Sequence, residues 1–210
     1  MKRRITTTVG LLFWLAATFL PIGTWSERLF GPLWGREVLW WVLVIAIYIY
    51  ILAVERRPLS SIGFRRLRWL DVPLAVLTGF LMVAGVVFIY SVVFPRFHLQ
   101  MNAAEMSSLQ HTPFWYRFLL VTRAAVAEET LFRAYPIERI TEWSGSRLLA
   151  GVLTWAAFTY AHLGTWGWAQ LIVAGFGGLL LTVLYLWRRN LWGNMLAHWL
   201  ADGVGFLMPG

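Results

Sequence analysis

Ala124-Ala125-Val126-Ala127-Glu128-Glu129-Thr130-Leu131-Phe132-Arg133 sets two adjacent carboxylates and an arginine inside an otherwise apolar run. Leu119, Leu120 and Val121 precede it, and Ala134 and Tyr135 follow. Inside a membrane each such charge is expensive and needs a partner. Glu129 and Arg133 are four apart, so a helix places them on one face as an ion pair. Glu128 points about 100° away from that pair. One carboxylate is neutralised locally and the other is left for a different task.

The composition puts this run in a membrane. Of 210 residues, 59% are hydrophobic and 13% charged, against about a quarter charged in soluble domains. Mean hydropathy is +0.64. The expected fold is all-α, a polytopic membrane helical bundle of about seven transmembrane helices. It forms one membrane domain over 1–210, with 1–113 supplying three spans and a loop and 114–207 the core that carries the motifs. The net charge of +8 would suggest nucleic-acid binding in a soluble chain. Here the basic residues cluster beside apolar spans, so the expected partner is membrane lipid and not nucleic acid. The absence of cysteine removes disulfides, thiolate nucleophiles and thiolate metal sites. Lys2, Arg3 and Arg4 before an apolar run imitate a signal peptide, with a weak cleavage pattern at Ala16-Ala17-Thr18. The apolar run continues through Ile22, so it reads as a retained span.

Hydropathy predicts spans over 8–25, 38–54, 72–94, 114–140, 148–163, 168–187 and 191–207. A loop with Glu27, Arg28, Pro32 and Arg36 joins the first two. The polar segment 95–113 is a loop with room for a short surface helix, and His98 and His111 read as ordinary loop residues. Gly164 to Gly167 read as a tight turn. Lys2, Arg3, Arg4, Arg56, Arg57, Arg65, Arg66, Arg68, Arg139, Arg147, Arg188 and Arg189 fall on one side, and Arg28, Arg36 and Arg96 on the other. The prediction is a multi-pass protein of the cell inner membrane, with a cytoplasmic amino terminus and an external carboxyl terminus.

Further ionisable groups lie in spans five and seven. His162 ends Phe158-Thr159-Tyr160-Ala161-His162, and His198 and Asp202 share a helix face four residues apart. Arg123 is deep enough to partner a carboxylate or a substrate, whereas Arg117 reads as snorkelling to the outer interface. A carboxylate and two imidazoles around one cavity fit three chemistries. Glu128 and His162 activate a water that attacks a peptide carbonyl, with His198 and Asp202 on the oxyanion side. Asp202 then needs a donor, either its own proton or its histidine neighbour. Alternatively His162, His198 and a carboxylate hold zinc, or the groups relay protons or ions. The bland reading is a polar knot that fixes helix packing, but one or two hydrogen bonds would do that with fewer buried charges. By residue counting His162 lies toward the outer end of its span and His198 nearer the inner end, so tilted helices are required for them to meet Glu128.

The ordered motifs Glu128-Glu129-Thr130-Leu131-Phe132-Arg133, Phe158 to His162 and His198 to Asp202 resemble the CPBP family. These are CAAX prenyl protease and bacteriocin-processing membrane proteins, also called the Abi family. The resemblance covers roughly 114–207. It implies a glutamate-type intramembrane endopeptidase with no cofactor. In it Glu128 and His162 would activate water and His198 and Asp202 would form the oxyanion side. Glu129 and Arg133 would hold the site or contact substrate, with Phe158 and Arg123 supporting it. Asp202 stands where prenyl-protein endopeptidases of the family often have asparagine. The expected substrate is a peptide, or the carboxyl-terminal anchor or sorting tail of a membrane protein. The rivals are a non-catalytic bacteriocin-immunity-type binding protein and a zinc-dependent membrane protease. A transporter is disfavoured, because no repeat is visible.

Overall fold

The computed structural model describes residues 2–19, 22–100, 103–163 and 167–208, and all regular structure among them is helical. Helix α1 is Lys2–Phe19, α2 is Ile22–Phe30, and α3 is Pro32–Ile49, which runs on through a π turn at Tyr50–Val54. A 3-10 turn, Leu59–Ile62, leads to α4, Asp71–Phe88, which continues through a π turn at Ile89–Val93 to Phe94–Arg96. Helix α5 is Ala103–Gln110. Helix α6, Phe114–Glu129, passes through a π turn, Thr130–Ala134, into α7, Tyr135–Ser144. Helices α8, Arg147–Ala161, α9, Gln170–Arg188, and α10, Leu191–Leu207, complete the chain.

Lipid offers no hydrogen bonds, so an apolar chain must satisfy its own backbone, and helices do this locally. Capping residues mark the starts. Ser146 Oγ accepts from the Leu149 N–H at 3.2 Å, and Asn190 Oδ1 accepts from the Gly193 N–H at 3.2 Å. Gly145, at φ 75°, ends α7 in the left-handed conformation.

A proline at position 136 would ordinarily bend or end a helix, and the structure absorbs it in another way. Proline lacks an N–H and clashes with the preceding turn, and the π turn just before it widens the helix. In that turn the Tyr135 N–H bonds to the Thr130 carbonyl. The donor next in that register would be Pro136, which has none. Trp14 Nε1 of α1 supplies the missing bond, donating to the Leu131 carbonyl at 2.5 Å.

Helix α10 packs on α4 and α6, and α8 packs on α7 and α9. Ile47, Ile51, Leu131, Phe132, Tyr135 and Tyr185 form the centre of the core. At the end of the bundle where α10 begins, ion pairs tie segment 55–71 to the helices. Arg139 reaches Glu55 at 2.6 Å, Arg188 reaches Asp71 at 2.8 Å, and Arg57 reaches Glu142 at 2.6 Å. Arg189 pairs with Glu138.

Among the described residues, three helical stretches are long and apolar enough to cross a membrane: Glu37–Val54, Asp71–Arg96 and Gln170–Arg188. Of the seven expected spans, that over 114–140 corresponds to the continuous run of α6, the π turn and α7 from Phe114 to Ser144, and those over 148–163 and 191–207 correspond to α8 and α10. With 15 and 17 residues, at ~1.5 Å per residue, α8 and α10 fall short of a hydrocarbon core ~30 Å thick. With α6, they are also the helices that carry the buried polar groups. Two boundaries differ from expectation. Helix α1 starts at Lys2 and not at residue 8, and most of the loop expected between the first two spans is helical, as α2 and the start of α3. Glu37 is therefore a helix residue that faces the interior. Residues 164–166 of the expected turn, and the side chains of Lys2, Arg3, Arg36 and Glu105, lie outside the described residues.

Gly178 allows α8 and α9 to approach. A Cβ there would sit 2.7 Å from Phe158 Cδ1 and 3.3 Å from Arg133 Nη2. We expect Gly178→Val to lower stability by about 1–3 kcal/mol, read from thermal unfolding in detergent. An unchanged melt would mean that the helix pair can separate without cost.

Candidate active site

Helices α6 and α10 lie side by side and bring the two charged motifs together. Glu129 is fully buried. Its Oε1 accepts from Arg133 Nη1 at 3.0 Å and lies 2.8 Å from His198 Nδ1, and its Oε2 accepts from Asn194 Nδ2 at 3.0 Å. The Glu129–Arg133 pair read from the four-residue spacing is present. Arg133 is equally buried, donates from Nη2 to the Gly178 carbonyl at 3.3 Å, and sits with Cζ 3.9 Å from the centroid of the Phe158 ring. Three helices therefore fix one guanidinium, which fixes Glu129.

Glu128 faces a different set, as its 100° offset requires. Its Oε1 is 3.7 Å from Arg123 Nη1, and its Oε2 is 3.9 Å from His198 Nε2. Both separations exceed hydrogen-bond length, so these are ion-pair distances that leave acceptor positions open. Arg123 is held from behind by Glu37 of α3, with Nε 3.2 Å from Oε2 and Nη2 3.2 Å from Oε1. It also lies 5.7 Å from the Trp40 ring centroid.

His198 sits between carboxylates. Nδ1 meets Glu129, and Nε2 lies 3.3 Å from Asp202 Oδ2 on the next turn of α10. Asp202 thus has the histidine neighbour as its donor, one of the two options the sequence left open. Side-chain exposure rises from 0% at Glu129 through 6% at His198 and 15% at Glu128 to 24% at Asp202. The cluster opens toward the end of the bundle where α10 finishes.

His162 caps α8, and the structure does not bring it into contact with Glu128 or His198. Its Nδ1 is 2.8 Å from the Phe158 carbonyl oxygen, and its ring centroid is 4.4 Å from that of Phe158. The Phe158 ring carries Arg133 as well, so His162 joins the cluster through Phe158. The zinc alternative required His162, His198 and a carboxylate in one group. Among the described residues no three His, Cys, Asp or Glu side chains are arranged to hold a metal ion.

Two members of the cluster were missed in the sequence. Asn194 precedes His198 by four residues, so the stripe Asn194, His198, Asp202 was available from spacing alone. Glu37 gave no local signal, since its partner Arg123 is 86 residues away.

Fold and site together define a helical membrane protein with a buried carboxylate–histidine cluster shared by two neighbouring helices. Residues 110–204 match the family model described as Rce1-like, type II CAAX prenyl endopeptidase Rce1-like. The match takes in all three motifs and supports the CPBP/CAAX protease family. That is a protease family, so the match supports a hydrolase, and in general a CAAX-type intramembrane protease located in a membrane. No curated protein and no solved structure matches the chain.

Proposed function

We propose that the protein is an intramembrane endopeptidase that hydrolyses a peptide bond near or within the bilayer with water activated by Glu128. One observation carries this reading. Of the two adjacent glutamates, Glu129 is saturated by Arg133, His198 and Asn194, while Glu128 keeps open acceptor positions beside His198.

A water hydrogen-bonded to Glu128 gives its proton to the carboxylate as its oxygen bonds to the scissile carbonyl carbon. The carbonyl oxygen takes the negative charge, and the His198 N–H at Nε2 is the donor nearest to Glu128 that meets it. Collapse of the tetrahedral intermediate breaks the C–N bond, and Glu128 passes the proton to the leaving amine. Glu129 fixes the His198 ring from Nδ1, and Asp202, 3.3 Å from Nε2, shares that N–H with the oxyanion in a three-centre bond, so its role is to orient the histidine. Arg123, tethered by Glu37, keeps Glu128 in place.

His162 is the second base of this reading: its Nε2 accepts the other O–H of the water across the gap that separates it from Glu128. An Nδ1–H donated to the Phe158 carbonyl fixes the tautomer and leaves Nε2 as the base. We expect His162→Ala to lower kcat by about 10²-fold or more with an unchanged melt. Full turnover would remove His162 from the site.

The substrate class is a peptide, or the carboxyl-terminal anchor or sorting tail of a membrane protein, and the location is a cell inner membrane with the amino terminus cytoplasmic. The reaction as written uses no metal, so chelation should leave the rate unchanged. Loss on chelation with recovery on added zinc would replace this mechanism by the zinc one. The direct test compares peptide termini, by mass spectrometry, in membranes holding the protein and membranes holding Glu128→Gln. New termini should appear with the first alone. Their absence from both favours a non-catalytic binding or immunity role.

A further inference from the structure

We propose that the cavity between the first turns of α1 and the end of α7 binds the zwitterionic headgroup of phosphatidylethanolamine, with Arg4 on the phosphate and Glu142 on the ammonium. The cavity lies at the end of the bundle where α10 begins, away from the opening of the Glu128 cluster, so the site stands whether or not Glu128 cleaves a peptide.

The space arises where α1 and α7 part. Arg4, Thr7, Gly10 and Trp14 follow one another at steps of three and four residues, so they share one face of α1. At Gly10 that face touches α7, since a Cβ there would sit 3.0 Å from Tyr135 Cζ. Toward the start of α1 a cavity of about 280 Å³ opens, lined by Arg4, Thr7, Glu142 and Trp143. That volume holds several waters, or one phosphoethanolamine group.

The lining has the polarity of that group. Among the described residues the Arg4 guanidinium has no partner. Glu142 is held by Arg57, whose Nη1 donates to Oε1 at 2.8 Å and to Oε2 at 2.6 Å, and Arg139 Nη1 lies behind it, 3.6 Å from Oε1. A carboxylate offers about four acceptor positions, and 33% of the Glu142 side chain is exposed, so an ammonium can donate to it as well. Arg57 also donates from Nη2 to Thr7 Oγ1 at 3.3 Å, which joins α1 to the same group. A purely anionic headgroup would be set against the Glu142 charge, and a choline headgroup would bring it no N–H. Trp143 is exposed beside the cavity, and an indole face attracts an ammonium.

The depth also suits a headgroup. This end of the bundle carries Arg56, Arg65, Arg66 and Arg68, and basic residues and tryptophans gather at the level of the lipid phosphates. Occupancy bears on the rest of the fold through α1. That helix packs mainly on α7, and its Trp14 donates to the Leu131 carbonyl, two residues after Glu129. Arg4 and Trp14 are ten residues apart, about 15 Å along the helix. A headgroup that bridges Arg4 to Glu142 ties the start of α1 to α7 and holds Trp14 against the π turn.

The test is lipid retention by the full-length protein in delipidating detergent, read by native mass spectrometry. Phosphatidylethanolamine, phosphatidylcholine and phosphatidylglycerol with the same acyl chains are titrated separately. Phosphatidylethanolamine should bind about tenfold or more tightly than either, the scale of one charge-assisted hydrogen bond. Arg4→Gln and Glu142→Gln should each erase that preference. Arg4 and Trp143 are exposed, so Arg4→Gln and Trp143→Ala spare the core, and both should weaken retention. Phosphatidylethanolamine should also raise the melting temperature of the parent and leave that of Arg4→Gln unmoved. Equal retention of the three lipids, or a preference that survives Arg4→Gln, overturns the proposal. Tighter binding of phosphatidylglycerol makes the site one for anions and overturns it too. Glycerophosphoethanolamine, which lacks the acyl chains, should fail to displace the lipid at equal concentration. Displacement would assign the cavity to a soluble phosphoethanolamine and overturn the lipid assignment.

Discussion

Glu128→Gln is expected to lower peptide cleavage by about 10²–10⁴-fold, the usual contribution of a positioned general base, while the protein still inserts and folds. The substitution keeps size and shape and removes the one carboxylate of the pair with open acceptor positions. Its ion-pair contacts are long, 3.7 Å to Arg123 and 3.9 Å to His198, so little packing depends on them. Arg123 keeps Glu37 as a partner and His198 keeps Glu129 and Asp202. Stability should therefore change far less than rate. The measurement is single-turnover cleavage alongside a thermal melt of both proteins in the same detergent. A variant that cleaves at the parent rate ends the mechanism, and one that loses rate only because it unfolds says nothing for Glu128 as a base.

Arg133→Met should have the largest effect on stability, about 3–5 kcal/mol, as expected when a buried pair loses one member. Arg133 and Glu129 are both fully buried, 3.0 Å apart. Without the guanidinium, Glu129 retains Asn194 and His198 but loses its permanent cation, and the Gly178 carbonyl loses a donor. The double variant Glu129→Gln, Arg133→Met removes both charges and should recover part of the loss, since two neutral side chains avoid the cost of an uncompensated charge. Cleavage should stay low in the double variant, because His198 then has no carboxylate at Nδ1. Unfolding in detergent, followed for both variants, is the check. Equal stability of parent and single variant would mean that water reaches the pair.

Much of the site was legible because helices impose short, fixed spacings. The four-residue steps from Glu129 to Arg133 and from His198 to Asp202 predicted both contacts. The 100° offset of Glu128 predicted that it would meet something else. The apolar stretches gave a helical bundle. The π turn at Thr130–Ala134 was less visible. Pro136 announced a disturbance, but whether it became a break, a kink or a bulge depended on Trp14 reaching the orphaned Leu131 carbonyl.

The sequence by itself determined that the chain is helical and membrane-embedded, and which carboxylate is paired within its own helix. These follow from hydropathy and from one-dimensional periodicity, and both are local. Only the tertiary structure decided that Glu37 restrains Arg123, that Asn194 and His198 saturate Glu129, and that His162 rests on Phe158 short of Glu128. Those contacts join residues far apart in the chain, and their existence depends on how helices tilt and rotate against one another. Packing sets that geometry, and no spacing along a single helix encodes it.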